Sequence, residues 1–438
     1  MLPKGTGAGV ACLPVSPTFS IFGKELSAKK GHHSETHRMR SPTETFEAYR
    51  RFMPLMGITR IANITGLDSI GLPTYTAIRP RSRSLSTSQG KGLDDAAART
   101  SALMESIECW HAENLDIPLR FESYAALRAQ GAVVDISKTT VARGRVVKTQ
   151  TPLLWAKGED LFRHEPIFVP YDLVTMNTIT SPEYSPTFLI STDGLASGNH
   201  LLEAVVHGLC EVVERDALAL WYASPRPPVP VDVTSVDDPG CRRLVELVHG
   251  ADSELVVWDI TSDVGIPTYA CYVLEEPSRQ SLRGLGFYHG FGCHLDPTLA
   301  LFRAMIEAVQ GRVTFISGSR DDLFHDDYVQ LRDASLLKGM WDEIQAGRAG
   351  EIPVGMRKNR ATETFEGDLR VLLDAIAAAG FDTVAVVDLS KEEIGIPVVK
   401  VVVPGLAGVP TPEAQSGARV NAAREDAARE DIEPEGLD

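Results

Sequence analysis

The chain has 438 residues, 43% of them hydrophobic, enough for a large core in one big domain or two to three subdomains. Its net charge of −16 argues against nucleic acid as a partner, and no apolar run reaches the ~18 residues of a membrane span, so no membrane contact is expected. The N-terminus lacks a signal-peptide apolar region and the six cysteines form no C-x-x-C pair, which together lead us to expect a cytoplasmic protein with reduced thiols and neither a zinc site nor a disulfide framework.

Residues 1–37 mix Gly, Pro, Ser and Lys without periodicity and read as a mobile arm ahead of a folded region spanning 38–410. A helix is expected from Ser41 to Leu55, with Ser41 as cap, Pro42 at the first helical position and Phe46, Tyr49, Phe52 and Met53 as its buried stripe. The stretch from Ile58 to Ser88 clusters β-branched residues between turn signals and reads as strands, ending at Gly90-Lys91-Gly92. Long helices then follow over Asp94 to Asn114, Asn199 to Tyr222 and Pro297 to Ile316, with a strand region around Pro152 to Leu173. Later strands fall at Leu255 to Asp259, Pro267 to Leu274, Thr383 to Asp388 and Pro397 to Val403, with a helix from Glu366 to Ala379. The mixed order gives an α+β fold, and no repeat of fixed period is visible. In the tail, 411–438, eight acids from Glu413 onward face three arginines, so it reads as a disordered segment or a solvated helix.

Acids recur on two of the long helices at spacings that share one face. In the first, Ser101, Glu105 and Glu108 are four and three residues apart, and Glu113 extends the same side. In the second, Asn199, Glu203, His207, Glu211 and Glu214 fall within roughly 120° of one another, while Leu201, Leu202, Val205, Leu209, Val212 and Val213 fill the opposite surface. A helix so apolar elsewhere is buried, and stacked buried carboxylates cost several kcal/mol unless cations neutralise them. Arg and Lys partners or hard divalent cations would serve. The third helix adds Arg303, Glu307 and Gln310 at the same spacings. The pattern alone leaves two readings level: solvated stripes, or a magnesium triphosphate site.

Weaker anion signals are also present. Gly90-Lys91-Gly92 before a helix offers backbone N–H groups and an ammonium, but a plain strand-to-helix turn explains it equally well. Arg79, Arg81 and Arg83 alternate on an extended segment and share one side, as either an anion contact or a solvated edge strand.

These motifs resemble one family, the YcaO proteins, ATP-dependent enzymes that modify peptide backbones. The resemblance covers roughly residues 38 to 405. It is carried by Gly90-Lys91-Gly92 with S-A-L-M-E-S-I-E (Ser101 to Glu108), and by S-G-N-H-L-L-E-A-V-V-H-G-L-C-E-V-V-E-R-D-A (Ser197 to Ala217). It implies a YcaO-type fold of mixed sheets packed with helices around an ATP site. By the same resemblance Glu105, Glu108, Glu203, Glu211 and Glu214 hold Mg2+, Asn199 lies near the nucleotide, Arg215 meets phosphate, and Lys91 and Ser101 add contacts. Arg38 and Thr45 fit a basic residue and a hydroxyl seven positions apart near the nucleotide, with Arg40 an alternative to Arg38. Arg303 matches the late family arginine, with Arg312 an alternative.

Within the family, G-I-T-R-I-A-N-I-T-G-L-D-S-I-G-L-P (Gly57 to Pro73) resembles the branch that works with a TfuA partner and forms backbone thioamides. The ending I-E-P-E-G-L-D differs from the P-x-P-x-P terminus of azoline-forming members. The resemblance thus implies amide O-phosphorylation followed by sulfur insertion into a ribosomally made peptide or protein, with TfuA supplying sulfur, by a homodimer. An azoline-forming cyclodehydratase and a non-catalytic nucleotide-binding subunit are the alternatives. Cys109 and Cys210 lie inside the key helices and read as core thiols rather than sulfur carriers.

Overall fold

The structure, a computed structural model, describes residues 18–179, 184–223, 229–275, 286–330, 333–348, 350–408 and 411–430. Most of the expected mobile arm is built into the body. Strands β1 (Phe19–Ile21) and β2 (Lys24–Leu26) form a hairpin, Ile21 is fully buried, and buried Lys30 makes a 2.7 Å ion pair with Asp368. Residues 1–17 of the arm, with Cys12, lie outside the described residues. Helix α1 (Pro42–Tyr49) opens on a capping box between Ser41 and Glu44. It gives way to a tighter turn over Arg50–Phe52, short of the expected Leu55, as the chain approaches Pro54.

Strands β3 (Arg60–Asn63), β4 (Thr74–Ile78) and β5 (Thr87–Lys91) make an antiparallel meander, and α2 (Asp95–Glu113), capped by Asp94, packs back onto it. Then come β6 (Leu119–Ser123), α3 (Tyr124–Gln130), β7 (Pro152–Asp160), β8 (Glu165–Pro170), β9 (Leu195–Ser197) and the long α4 (Leu201–Ala223). After β10 (Val229–Asp232) and α5 (Pro239–Gly250), a second antiparallel meander is built from β11 (Ser253–Asp259), β12 (Thr268–Glu275) and β13 (Tyr288–Cys293). It too is followed by a helix that packs onto its last strand, α6 (Pro297–Ser317). The chain continues through α7 (His325–Gln330), α8 (Ala334–Gly347), β14 (Ile352–Pro353), α9 (Phe365–Ala378), β15 (Ala385–Asp388), β16 (Val398–Val402) and α10 (Ala418–Glu430).

Two larger sheets organise the core. In one, the strand order is β6-β7-β15-β16-β9, with β8 also paired to β7. Its period of two divides the side chains cleanly: Val386, Val399 and Val401 pack under α4 and α9, whereas Ala385, Val387 and Val398 pack under α1 and α2. The other runs β13-β12-β11-β10-β14, antiparallel except for the parallel pair β10 with β14. Its two faces are covered by α5 and α6 and by α8 with the last turns of α4. This is the α+β fold that the sequence order implied.

The acidic tail is ordered as far as residue 430. Val420 and Ala423 pack against Ala219 and Ala223 of α4, and Arg419 reaches both carboxylate oxygens of fully buried Asp216. One apolar contact and one buried charge partner are enough to dock a segment that composition alone leaves in solvent. Residues 431–438 lie outside the described residues.

Candidate functional site

Three helices converge on one cleft because each must bury an apolar side against a sheet, which leaves their acidic stripes facing one another. From α2 come Glu105 and Glu108. Glu108 accepts from the backbone N–H of Ser197 at 2.9 Å and from its hydroxyl at 2.7 Å, where β9 ends. Glu105 is solvent-accessible but sits deep between the cleft walls. From α4 come Glu211, Glu214 and Arg215. The Arg215 guanidinium lies 3.3 Å from Glu211, 3.5 Å from Glu214 and 3.7 Å from Asp193, and Glu214 also accepts from the Cys293 N–H at 3.0 Å. From β5, Lys91 reaches Glu307 of α6 at 3.2 Å.

The charges are not balanced. Burial pushes the Glu105 carboxyl up to about 7; Lys91 draws it down and Glu108 pushes it further up. Glu211 is pushed up to about 8 by burial, with Asp193, Glu214 and Glu108 adding to the effect of burial and Arg215 opposing it. Burial also raises Glu108 and Glu214. Glu307 differs: despite its burial, Lys91 and Arg215 hold it below the ordinary carboxylate range. Carboxylates driven towards neutrality, first by burial and then by one another, are short of positive charge.

Nucleotide-side candidates gather at the N-terminal end of α4. Glu203 is buried and accepts from the Arg38 guanidinium at 3.3 Å and from the Met39 N–H at 2.9 Å. Expected as a metal carboxylate, it meets these two donors about 12 Å along the helix from Glu211. Thr45 and Asn199 hydrogen-bond each other side chain to side chain, with the Asn199 amide donating at 3.0 Å. Arg303 donates to the Cys293 carbonyl at 3.4 Å and meets the His207 ring nitrogen at 2.5 Å. Burial, with Arg38 and Arg303 close by, keeps the His207 proton affinity well below normal, so the neutral imidazole accepts from Arg303. Ser101 is half-buried on the same face of α2, four residues before Glu105.

Several sequence expectations resolve differently. Gly90 and Lys91 belong to strand β5, so Gly90-Lys91-Gly92 is not a free phosphate loop. Gly90 is required by packing: a Cβ there would lie 2.0 Å from the Ala102 nitrogen of α2. Arg79 is buried in a two-pronged ion pair with Glu113, both contacts at 2.7 Å, which removes Arg79 from any surface anion site and Glu113 from the acidic face. Arg312 is buried between Asp68 and Glu275 and is structural, and Arg40 is exposed.

The cleft also contains residues outside the sequence-derived set. Glu307 was visible as the partner of Arg303 at i+4, and His207 lay on the acidic stripe. Lys400 had a signal in V-V-K-V-V-V, one lysine in a run of valines that reads as a buried strand. It is 2% exposed and donates to the Ser191 carbonyl; burial pushes its ammonium down to about 8, against the pull of Asp193 and Glu211. Asp193 and Arg320, the latter raised in proton affinity first by Asp322 and also by Glu105, come from loops with no periodic signal.

The donors facing the cleft are carboxylate oxygens, the set that hard divalent cations prefer, and a bound cation would offset the burial that raises their proton affinities. The residues therefore fit Mg2+. A family model described as YcaO cyclodehydratase, ATP- and Mg2+-binding, matches residues 89–407. An uncharacterized protein in the tfuA 3′ region of Rhizobium leguminosarum bv. trifolii is 35% identical over 389 residues, covering 87% of this chain and 91% of that protein. One from Methanothermobacter thermautotrophicus is 33% identical over 389 residues, covering 87% and 98%. Among solved structures, YcaO from Methanopyrus kandleri bound with AMPPCP and Mg2+ superposes with a TM-score of 0.69 at 23% identity, over 88% of this chain and 99% of that one. A heterocyclase in complex with substrate and cofactor gives a TM-score of 0.73 at 23% identity, over 89% of this chain but 55% of that longer one. With the model spanning well over half the chain and both relatives above 30% identity, this protein belongs to the YcaO family of ATP- and Mg2+-binding enzymes.

Proposed function

We propose that the protein uses ATP to activate a peptide backbone amide and replaces its oxygen by sulfur, with a TfuA-type partner delivering the sulfur. The observation that carries amide activation is the cleft itself, where Glu105, Glu108, Glu211 and Glu214 face Arg215, Lys91 and Arg303 across a gap short of positive charge. Sulfur insertion is supported by the Rhizobium relative, whose name places it beside tfuA.

An amide carbonyl is a poor electrophile and its oxygen a poor leaving group. Transfer of the terminal phosphoryl of ATP to that oxygen, with release of ADP, addresses both. Hydrosulfide adds to the carbon, the C–O bond breaks, phosphate departs with the former carbonyl oxygen, and loss of the sulfur-borne proton leaves the thioamide. Net, one amide, one ATP and one hydrosulfide give one thioamide, one ADP and one phosphate. Mg2+, held by Glu105, Glu108, Glu211 and Glu214, would supply charge neutralisation for the phosphates. Arg215 and Arg303 are placed to receive phosphoryl oxygens, so the chain's work is positioning and electrostatics. His207 holds the Arg303 fork, and Asn199 with Thr45 presents a polar pair to the nucleoside end.

The test is mass spectrometry of candidate peptides after incubation with the protein, the TfuA-type partner, ATP, Mg2+ and a sulfide source. A gain equal to the oxygen-to-sulfur difference is expected. Loss of water would instead assign azoline formation, and ATP binding without turnover would assign a non-catalytic subunit.

A further inference from the structure

Of the cations that act on Glu105, Lys91 stands on β5 and Arg320 on the loop after α6. Helix α6 ends on Gly318, whose left-handed backbone (φ 56°) turns the chain onto the edge of β5. The loop is tied down there. The Ser86 N–H donates to Asp321 at 2.9 Å, the Thr87 hydroxyl to the Ser319 carbonyl at 3.1 Å, and the Gln89 side-chain amide to the Ser319 hydroxyl at 3.5 Å. Gln89 is itself fixed from α6, since its carbonyl accepts from the Gln310 amide at 3.0 Å and its side-chain oxygen from the Thr314 hydroxyl. Arg320 is thereby carried from the second meander unit to the acidic wall of the first.

The two cations are not equally committed. Lys91 is already paired with Glu307. Arg320 meets Asp322 side-on, with Nε 2.7 Å from one carboxylate oxygen and Nη2 on the other. That engages two of the five guanidinium N–H groups and leaves Nη1 with no hydrogen-bond partner among the described residues. The side chains of the pair are 36% and 43% exposed, so solvent screens their attraction and the guanidinium is free to part from Asp322. Burial raises the Glu105 carboxyl, and Lys91, then Arg320, then the Gln89 N–H draw it back down. A loosely tethered fork beside a carboxylate that Mg2+ would take repels the cation and attracts the phosphate that arrives with it.

We propose that Arg320 is a shared cation of the cleft, competing with Mg2+ for Glu105 and, with Mg2+ in place, donating through its free prong to a phosphate oxygen of the nucleotide. The inference rests on the reading of this cleft as the Mg2+ and nucleotide site, and adds a residue that ties the two ligands together. Mg2+ alone has to displace the guanidinium from the field of Glu105. Mg2+ with nucleotide gives the guanidinium a new anion, so the two ligands bind better together than apart. Asp322 sets how strongly Arg320 acts, because it holds part of the same charge.

The probe for the metal alone is Mn2+, which shares the oxygen preference of Mg2+ and whose free EPR signal reports binding to the full chain without nucleotide. Arg320→Met is expected to bind Mn2+ about threefold more tightly, the scale of one screened charge. AMPPCP, titrated calorimetrically at saturating Mg2+, should bind this variant at least about tenfold more weakly, the scale of a lost hydrogen bond to a charged group. The opposite signs are the signature, since a loss of local packing weakens both. Arg320→Lys keeps the charge and should hold Mn2+ affinity within about twofold of the wild type. Asp322→Asn releases the guanidinium without altering it and serves if Arg320→Met does not fold; it should weaken Mn2+ and tighten AMPPCP. Mn2+ affinity in Arg320→Met equal to or below that of the wild type overturns the proposal, and so does undiminished AMPPCP affinity. A wild type that binds neither Mn2+ nor AMPPCP with Mg2+ overturns the reading of the cleft itself, so the two failures are distinguishable.

Discussion

The unit β3-β4-β5-α2 and the unit β11-β12-β13-α6 share one plan, an antiparallel meander whose last strand is covered by the helix that follows. The covering helix comes equally close in both. A Cβ on Gly90 would lie 2.0 Å from the Ala102 nitrogen, and one on Gly290 would lie 2.2 Å from the Ala308 nitrogen. Their charges differ. Four residues before its cleft-facing glutamate, α2 carries Ser101 and α6 carries Arg303. The first unit thus brings uncompensated acids on its helix and one cation on its strand, and the second brings an arginine and a glutamate that is already neutralised by Lys91. In the proposed function, one scaffold used twice would supply the metal-facing wall and the phosphate-facing wall, with α4 closing the space between them.

Exchanging charge for amide on each wall separates the two roles, and here the largest effects are expected. Glu105→Gln and Arg303→Gln should each lower kcat for ATP hydrolysis by about 10²–10³-fold, the scale of losing one preorganised electrostatic contact. Glu105→Gln should also raise the Mg2+ concentration needed for half-maximal rate, whereas Arg303→Gln should leave it unchanged and raise KM for ATP. If both variants shift Mg2+ dependence equally, the division of labour between the units is wrong. Glu211→Gln on α4 should follow the Glu105 pattern.

The scaffold itself is tested by the glycines. Gly90→Ala and Gly290→Ala each force a methyl into helix backbone, and overpacking of this kind costs about 1–3 kcal/mol. Denaturant unfolding should show similar losses for the two. A large loss at one and none at the other would show that only one of the helices depends on close approach.

Much of this was legible in the sequence because periodicity reports burial. The long helices carrying Glu105, Glu211 and Arg303 were expected within two residues of their observed ends, and so were the strands at β11, β12, β15 and β16. Pairings distant in sequence were not legible. Arg79 looked like part of an exposed stripe because its partner Glu113 is 34 residues away. The partners of Glu203 were hidden too, because the donors from Arg38 and Met39 arrive from 165 and 164 residues upstream. The duplicated plan escaped because the units share geometry and glycine placement, not a repeated sequence period. The α10 dock depended on a buried Asp216 that no local pattern around Arg419 reveals.

The raised carboxylates make the acid-rich side sensitive to pH. In the folded state burial pushes the Glu105 and Glu211 carboxyls up to about 7 and about 8, above the ordinary 4.5. Between those limits the folded state binds more protons than the unfolded one, so stability falls as pH rises. Their contribution is fully present below the ordinary value and is lost through pH 7 and 8. Without Mg2+ the unfolding midpoint should therefore drop by about 1–2 °C per pH unit over this window. Saturating Mg2+ with AMPPCP should flatten the dependence, since cations then favour the ionised forms. A midpoint independent of pH without Mg2+ would mean that the acids are neutralised within the chain.

The smallest expected effect concerns the seam between the two units. Lys91 and Glu307 join β5 to α6 at 3.2 Å, with side chains 26% and 33% exposed, so solvent screens much of their attraction. A double-mutant cycle with Lys91→Met and Glu307→Gln should give a coupling of about 0.5–1 kcal/mol in unfolding free energy. Each single change also frees its partner: Lys91 is then left to Glu105, and Glu307 to Arg215, so part of the loss is recovered within the cleft. Repeating the cycle with Mg2+ and AMPPCP bound closes the first of these routes, because Glu105 is then occupied. The coupling should rise on loading if Lys91 is shared between the acids of both units. If it stays the same, Lys91 belongs to Glu307 alone, and the two walls meet at the nucleotide without being tied through this lysine.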